Sequence, residues 1–175
     1  MQHNENSYVV IYRNGVINSL VVDMHENLFD HLQVSVRDCT LYIDSDRAWS
    51  TASADSPRFY VYAPFLETAS FSGAVSSGEW DIVSSDSFTL DIGGASLDID
   101  MDVDVFRLDV SGASGVSAAA LETTSARVEL NGAGSINIYC SGTLDVTING
   151  VGSVNVYGNP TISESVSGLG SVNRR

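Results

Sequence analysis

The chain has 175 residues, few enough for one domain at roughly 150 residues per domain. Apolar residues make up 43% and charged residues 17%, which allows a core but leaves too few charges for the outer faces of a helical bundle. Eight arginines and no lysine stand against 22 acidic residues, a formal charge of −14 that repels nucleic acid and anionic lipid alike.

From the N-terminus, Met1-Gln2-His3-Asn4-Glu5-Asn6 is polar and does not resemble a secretory leader. Tyr8–Tyr12 and Leu20–Val22 alternate as strands around Asn14-Gly15, which reads as a hairpin turn. Glu26 to His31 can form one helical turn before two further strand-like runs, Leu32–Val36 and Leu41–Ile43. Residues 1–60 are expected to form a less regular N-terminal part that caps residues 61–175, all within one domain. No apolar run approaches the roughly 18 residues that cross a bilayer as a helix.

Beyond residue 60 a repeat takes over. Glycine-centred segments recur at Gly73, Gly94, Gly112, Gly132, Gly150 and Gly168, with spacings of 21, 18, 20, 18 and 18. Fixed-period similarity near 20 residues marks a solenoid. Before each glycine the residues alternate with period two. Phe71, Ile92, Val110, Leu130, Ile148 and Val166 stand two positions upstream, and Leu90, Leu108, Val128 and Val146 four upstream. These are inward columns of strands. Glu164 continues the second of them in the last coil, where an open end can hydrate it. Outward columns lie between: Asp91, Asp109, Glu129, Thr147 and Ser165, and beside them Thr89, Arg107, Arg127, Asp145 and Ser163. After the glycine, Ile136-Asn137-Ile138-Tyr139 and Val154-Asn155-Val156-Tyr157 repeat the alternation. Strand, glycine turn, strand and looser corner stack into an all-β, right-handed parallel β-helix of about 18–21 residues per coil. The glycines are expected at the turns because a positive φ costs them no strain, and Asn131 and Asn149 tolerate the same geometry. Ser76 to Trp80 breaks the pattern, so the first coil is expected to be irregular. Cys39 and Cys140 lie five to six coils apart, about 25 Å along the axis, too far for a disulfide.

The run Asn131-Gly132-Ala133-Gly134-Ser135, repeated as Asn149-Gly150-Val151-Gly152-Ser153 and Ser167-Gly168-Leu169-Gly170-Ser171, resembles the head GIN domain family of auto-transporter adhesins. So do Asp23 to Leu28, Val36 to Ile43 and Gly158-Asn159-Pro160. The family has Gly after the position of Asp38, where this chain has Cys39. The resemblance implies a β-helix outwardly similar to pectin-lyase-like folds without their catalytic residues, a Bacteroidetes source, an extracytoplasmic location behind a leader, and adhesion by analogy with trimeric adhesins.

The residues offer little catalytic chemistry. His3, His25 and His31 have no metal-ligand spacing, there is no Gly-x-Ser-x-Gly elbow, and without lysine neither a phosphate-binding loop nor a Schiff base can form. Gly132-Ala133-Gly134 precedes a strand, not the helix a dinucleotide loop needs. Asp98, Asp100, Asp102 and Asp104 alternate with apolar residues as a solvated face, with calcium the competing reading. No catalytic residue, metal or cofactor is therefore assigned. The outward ladder Asn137, Asn155 and Asn173 beside Tyr139 and Tyr157 is the candidate contact surface for a glycan or a partner protein, although stacked Asn also serves simply to join coils. The preferred reading is a non-enzymatic adhesin-like module. The alternative is a carbohydrate-binding or polysaccharide-degrading β-helix that uses Asp109 and Glu129.

Overall fold

The computed structural model describes residues 8–46, 56–72 and 75–175. It is a parallel β-solenoid of about five turns. One face stacks β6 (Thr68–Phe71), the C-terminal half of β7 (Val75–Ile92), β9 (Met101–Val110), β11 (Ser125–Leu130), β13 (Thr143–Ile148) and β15 (Thr161–Val166). The other stacks the N-terminal half of β7, β8 (Ala95–Asp98), β10 (Ala113–Ala118), β12 (Ala133–Tyr139), β14 (Val151–Tyr157) and β16 (Leu169–Arg174). All of these pairings are parallel.

Register follows the side-chain columns. Leu90, Leu108, Val128 and Val146 are partners in successive coils and all are buried. Ile136 and Ile138 face them from the other sheet, stacked under Val154 and Val156. Between the sheets Phe88 and Phe106 stack with ring centroids 6.3 Å apart and planes 14° from parallel. Each coil thus hides its aliphatic face on the coil beside it, which no single coil could do alone.

The turns hold together by close approach. The N–H of Asn131, Asn149 and Ser167 bonds to the carbonyl of Val110, Leu130 and Ile148 in the preceding coil at 2.7–2.8 Å. The N–H of Ala133, Val151 and Leu169 bonds to Gly112, Gly132 and Gly150 at 3.0–3.1 Å. The reason expected for the glycines is corrected here. Gly94 and Gly168 do adopt φ of 138° and 140°, but Gly112, Gly132 and Gly150 do not have positive φ. They are glycines because a Cβ would collide with the backbone of the coil below, at Gly112 only 2.5 Å from the Gly93 oxygen. Nor do Asn131 and Asn149 adopt left-handed geometry; the amide of Asn149 donates to Asn131 Oδ1 at 2.8 Å. Gly73 lies outside the described residues.

One departure concerns the N-terminal part. Strands β1 (Tyr8–Asn14) and β2 (Ser19–Asp23) flank Asn14-Gly15 but form no hairpin with each other. Strand β5 (Arg58–Ala63) lies between them, parallel to β1 and antiparallel to β2. β1 also pairs in parallel with β7, so this small sheet continues the solenoid face, and β5 straddles the boundary expected at residue 60. Tyr12 is buried here and its hydroxyl donates to the Ala63 carbonyl at 2.8 Å. The Ser76–Trp80 region is irregular as expected, its register against β1 shifting between Ser77 and Trp80. It belongs to a continuous β7 that passes from one face to the other, with a register shift between Ile82 and Ser85. That shift takes up one extra residue of β7 against β9.

A short helix, α1 (Glu26–Phe29), leads to an antiparallel ribbon of β3 (Leu32–Arg37) and β4 (Thr40–Ser45). At its tip Asp38 and Cys39 have φ of 49° and 60°, the pair of positive angles that a two-residue hairpin requires. Cys39 sits there without glycine's freedom. Both cysteines are free thiols.

Candidate functional site

On β12, β14 and β16 the inward residues Ile136, Ile138, Val154 and Val156 are fully buried, which turns the alternate residues outward. Three columns result. Ser135, Ser153 and Ser171 are register partners, as are Asn137, Asn155 and Asn173, and Tyr139 pairs with Tyr157. Asn155 Nδ2 donates to Asn137 Oδ1 at 2.9 Å, and Asn173 Nδ2 to Asn155 Oδ1 at 3.4 Å. The Ser135 and Ser153 hydroxyls are 3.4 Å apart. The amides are half-buried and locked to one another, whereas Tyr157 is exposed. The face is a rigid, regularly spaced array of hydroxyl, amide and phenol groups.

The opposite face carries charge. Arg107 Nε donates to Asp109 at 3.1 Å, and its terminal nitrogen lies 3.6 Å from Glu129 in the next coil. Arg127 donates to Glu129 at 2.6 Å and reaches Asp145 at 3.9 Å. The hydrogen bond that Arg107 donates to Asp109, then the charge of Asp109, hold the guanidinium above its ordinary value. Asp91, Asp109 and Glu129 occupy one column as expected. In this arrangement Asp109 and Glu129 are counter-ions of solvent-facing arginines. A hydrolytic pair instead needs one carboxyl held protonated in an apolar pocket.

Beside this ladder runs a groove of about 430 Å³, lined by Val105, Arg107, Arg127, Asp145 and the hydroxyl residues Ser125, Thr143, Thr161 and Ser163. Thr143 Oγ1 donates to Ser125 Oγ at 3.2 Å, so this hydroxyl column is itself linked between coils. Sequence reading missed it. Extending the period-two alternation two residues upstream of Arg107, Arg127 and Asp145 reaches Val105, Ser125 and Thr143, and would have found it.

The remaining candidates do not converge. Asp98, Asp100, Asp102 and Asp104 are all exposed, but β8 ends at Asp98 and β9 begins at Met101, so they wrap a corner between the faces. No group of three or more metal-ligating side chains occurs among the described residues. His31 Nδ1 meets Asp46 at 2.9 Å on the surface, and His3 lies outside the described residues. Cys140 is buried, and its thiol donates to the Thr143 carbonyl at 3.3 Å. Among the described residues no helix is long and apolar enough to cross a membrane.

A family model described as "Putative auto-transporter adhesin, head GIN domain" matches residues 3–160. Among solved structures, one described as a putative adhesin from Bacteroides fragilis NCTC 9343 is 20% identical, covering 98% of this chain and 92% of that one, with a TM-score of 0.69. A putative adhesin from Parabacteroides merdae ATCC 43184 is 14% identical, covering 98% and 89%, with a TM-score of 0.48. A protein from Parabacteroides distasonis ATCC 8503, described as a putative lipid binding protein, is 20% identical, covering 97% and 91%, with a TM-score of 0.49. No curated protein matches. With the glycine-anchored coils, the shared solenoid of the Bacteroides fragilis protein and a family match over nearly the whole sequence, the chain belongs to the head GIN domain family.

Proposed function

We propose that this chain is a single, non-enzymatic, extracytoplasmic module that works by surface contact, adhesin-like, and that its contact surface is the Ser-Asn-Tyr face of β12, β14 and β16. The observation that carries this reading is the amide ladder from Asn137 through Asn155 to Asn173 beside Tyr139 and Tyr157. Side chains already fixed by bonds between coils lose little entropy on binding, and tyrosines supply amphipathic contact area with few rotors. A face of this kind suits a glycan or an extended protein surface. Binding of the purified chain to a panel of glycans and matrix proteins tests it. Tyr139→Ala with Tyr157→Ala should abolish the binding without lowering the melting temperature, and undiminished binding would move the contact surface elsewhere. The family analogy adds a homotrimer, which light scattering reads directly.

The groove along Arg107 and Arg127 supports a second reading, a carbohydrate site of the pectin-lyase type. Incubation with polysaccharides separates the two. Product release that disappears in Asp109→Asn with Glu129→Gln would make the groove the working site and the module an enzyme.

A further inference from the structure

The outward column beside the glycine turns grows from coil to coil. Ala113, Ala133, Val151 and Leu169 are register partners, and Gly94 precedes them, since Ser96 pairs with Gly115 two residues further on. All but Gly94 are exposed, Val151 at 54% and Leu169 at 81%. The order Gly, Ala, Ala, Val, Leu makes a wedge along the solenoid axis.

The band around this column carries no charge. Residues 92–97, 111–121, 130–144, 148–163 and 165–173 contain no Asp, Glu or Arg, in a chain whose formal charge is −14. Arg107, Asp109, Arg127 and Glu129 all lie on the other sheet. Two copies of so acidic a chain repel one another on most approaches. Through this band they meet without that cost. Asn131 and Asn149 before the column, and Ser135 and Ser153 after it, give it a polar but uncharged rim.

The wedge is complementary to itself. Coils are about 4.8 Å apart in any copy, so two columns laid antiparallel meet position for position. Ala133 then faces the partner's Ala133, Val151 faces the partner's Ala113, and Leu169 enters the notch at the partner's Gly94. Large meets small throughout, and the contact is isologous, as a two-fold axis through Ala133 demands. A three-fold assembly around an axis parallel to the solenoid, the arrangement of the family analogy, sets like against like instead. Leu169 would crowd Leu169 while Gly94 faced Gly94 across a void, which costs packing at both ends.

We propose that this column is a self-association surface, on which a second copy of the chain packs antiparallel about a two-fold axis at Ala133. Tyr139 stands six residues along the strand from Ala133, about 20 Å away. The dimer therefore leaves the tyrosines open, and the proposal is independent of what they bind.

Light scattering and sedimentation over a range of concentrations should give twice the chain mass for the wild type. Ala113→Arg and Val151→Asp each place a charge in the apolar contact, and each should return the mass to that of one chain. Combined, they set Arg against Asp across the two-fold axis, and the doubly substituted chain should regain the dimer. Ser163→Asp, on the other sheet, is the control and stays dimeric, with circular dichroism confirming the fold of each variant. Where a charged variant fails to fold, Ala133→Cys in a Cys39→Ser background takes its place. Mild oxidation should then link two copies through position 133, and a chain that stays unlinked overturns the proposal. So does a wild type that remains a single chain throughout, a three-chain mass, or single variants that stay dimeric. A double variant that stays dissociated, or a control that dissociates, overturns it equally.

Discussion

Gly132 lies directly over the carbonyl of Gly112. A Cβ on Gly132 would overlap that oxygen, which accepts the N–H of Ala133 at 3.1 Å. The obstacle is backbone, part of the bond that joins the coils, so it cannot swing aside. Gly132→Ala is therefore expected to cost about 3 kcal/mol, the upper range for overpacking, and Gly132→Val more. Gly115 is the contrasting case. Its Cβ would meet only the Ser96 hydroxyl at 3.6 Å, and its register partners are Ser96 and Ser135. Gly115→Ser should be neutral or stabilise by about 0.5 kcal/mol, because the unfolded chain loses freedom. Urea denaturation of the two variants checks the pair; similar losses at both sites would contradict the close-approach account.

The amide ladder gives a graded expectation. Asn155 donates to Asn137 and accepts from Asn173, in a half-buried column. Asn155→Ala removes both bonds and leaves the Asn137 carbonyl without its donor, a loss of about 1–2 kcal/mol. Asn131 and Asn149 are exposed and share one bond, so water replaces the partner in Asn149→Ala and the loss is a few tenths of a kcal/mol, at about the lower bound for such bonds. Denaturation midpoints of the two variants should separate in that order.

Residues 85–174 were legible in the sequence because the inward columns repeat an apolar choice in four or more successive coils, and a period-two pattern in register can satisfy only stacked strands. The N-terminal part was not. Asn14-Gly15 carries a strong local hairpin signal, and local signals cannot report that Phe59 and Val61, more than 40 residues away, come to lie between the two strands it joins. The glycines show the same limit. A recurring spacing of 18 fixes where small residues are needed, but positive φ at Gly168 and steric exclusion at Gly150 leave identical marks in a sequence. The hydroxyl-lined groove was overlooked for another reason: Ser125 and Thr143 gain meaning only when stacked beside Arg127 and Asp145, and serine and threonine are common throughout the chain.

The two thiols should behave oppositely. Cys39 is exposed at the tip of the β3–β4 ribbon, whereas Cys140 is buried, with its proton held toward the Thr143 carbonyl. Burial pushes the Cys140 thiol above its ordinary value, so little reactive thiolate forms at neutral pH. A disulfide reagent applied to the native chain should titrate one thiol quickly and the second only on unfolding, and Cys39→Ser should remove the fast phase. A fast phase that survives in Cys39→Ser would show that the core around Cys140 opens readily.

Stability should fall on the alkaline side, and two groups set the window. Burial raises the Cys140 thiol above 9.0, and burial, then the charge of Asp44, raises the Tyr8 phenol above 10.0. Tyr8 sits edge-on to Phe59, with ring centroids 5.8 Å apart. In both cases the folded chain holds a proton that the unfolded chain releases at the ordinary value. Their contribution is thus fully present below about pH 9, and rising pH then favours the unfolded state, first through the thiol and from about pH 10 through the phenol as well. It is gone once pH has passed the raised folded values. Urea midpoints followed from pH 8 to 11 should decline in Cys140→Ala less steeply than in the wild type from pH 9 upward, and in Tyr8→Phe less steeply from pH 10. Cys140→Ala also loses packing, so the slope against pH, not the absolute midpoint, carries the comparison. Parallel slopes in all three proteins would mean that neither group titrates differently on folding.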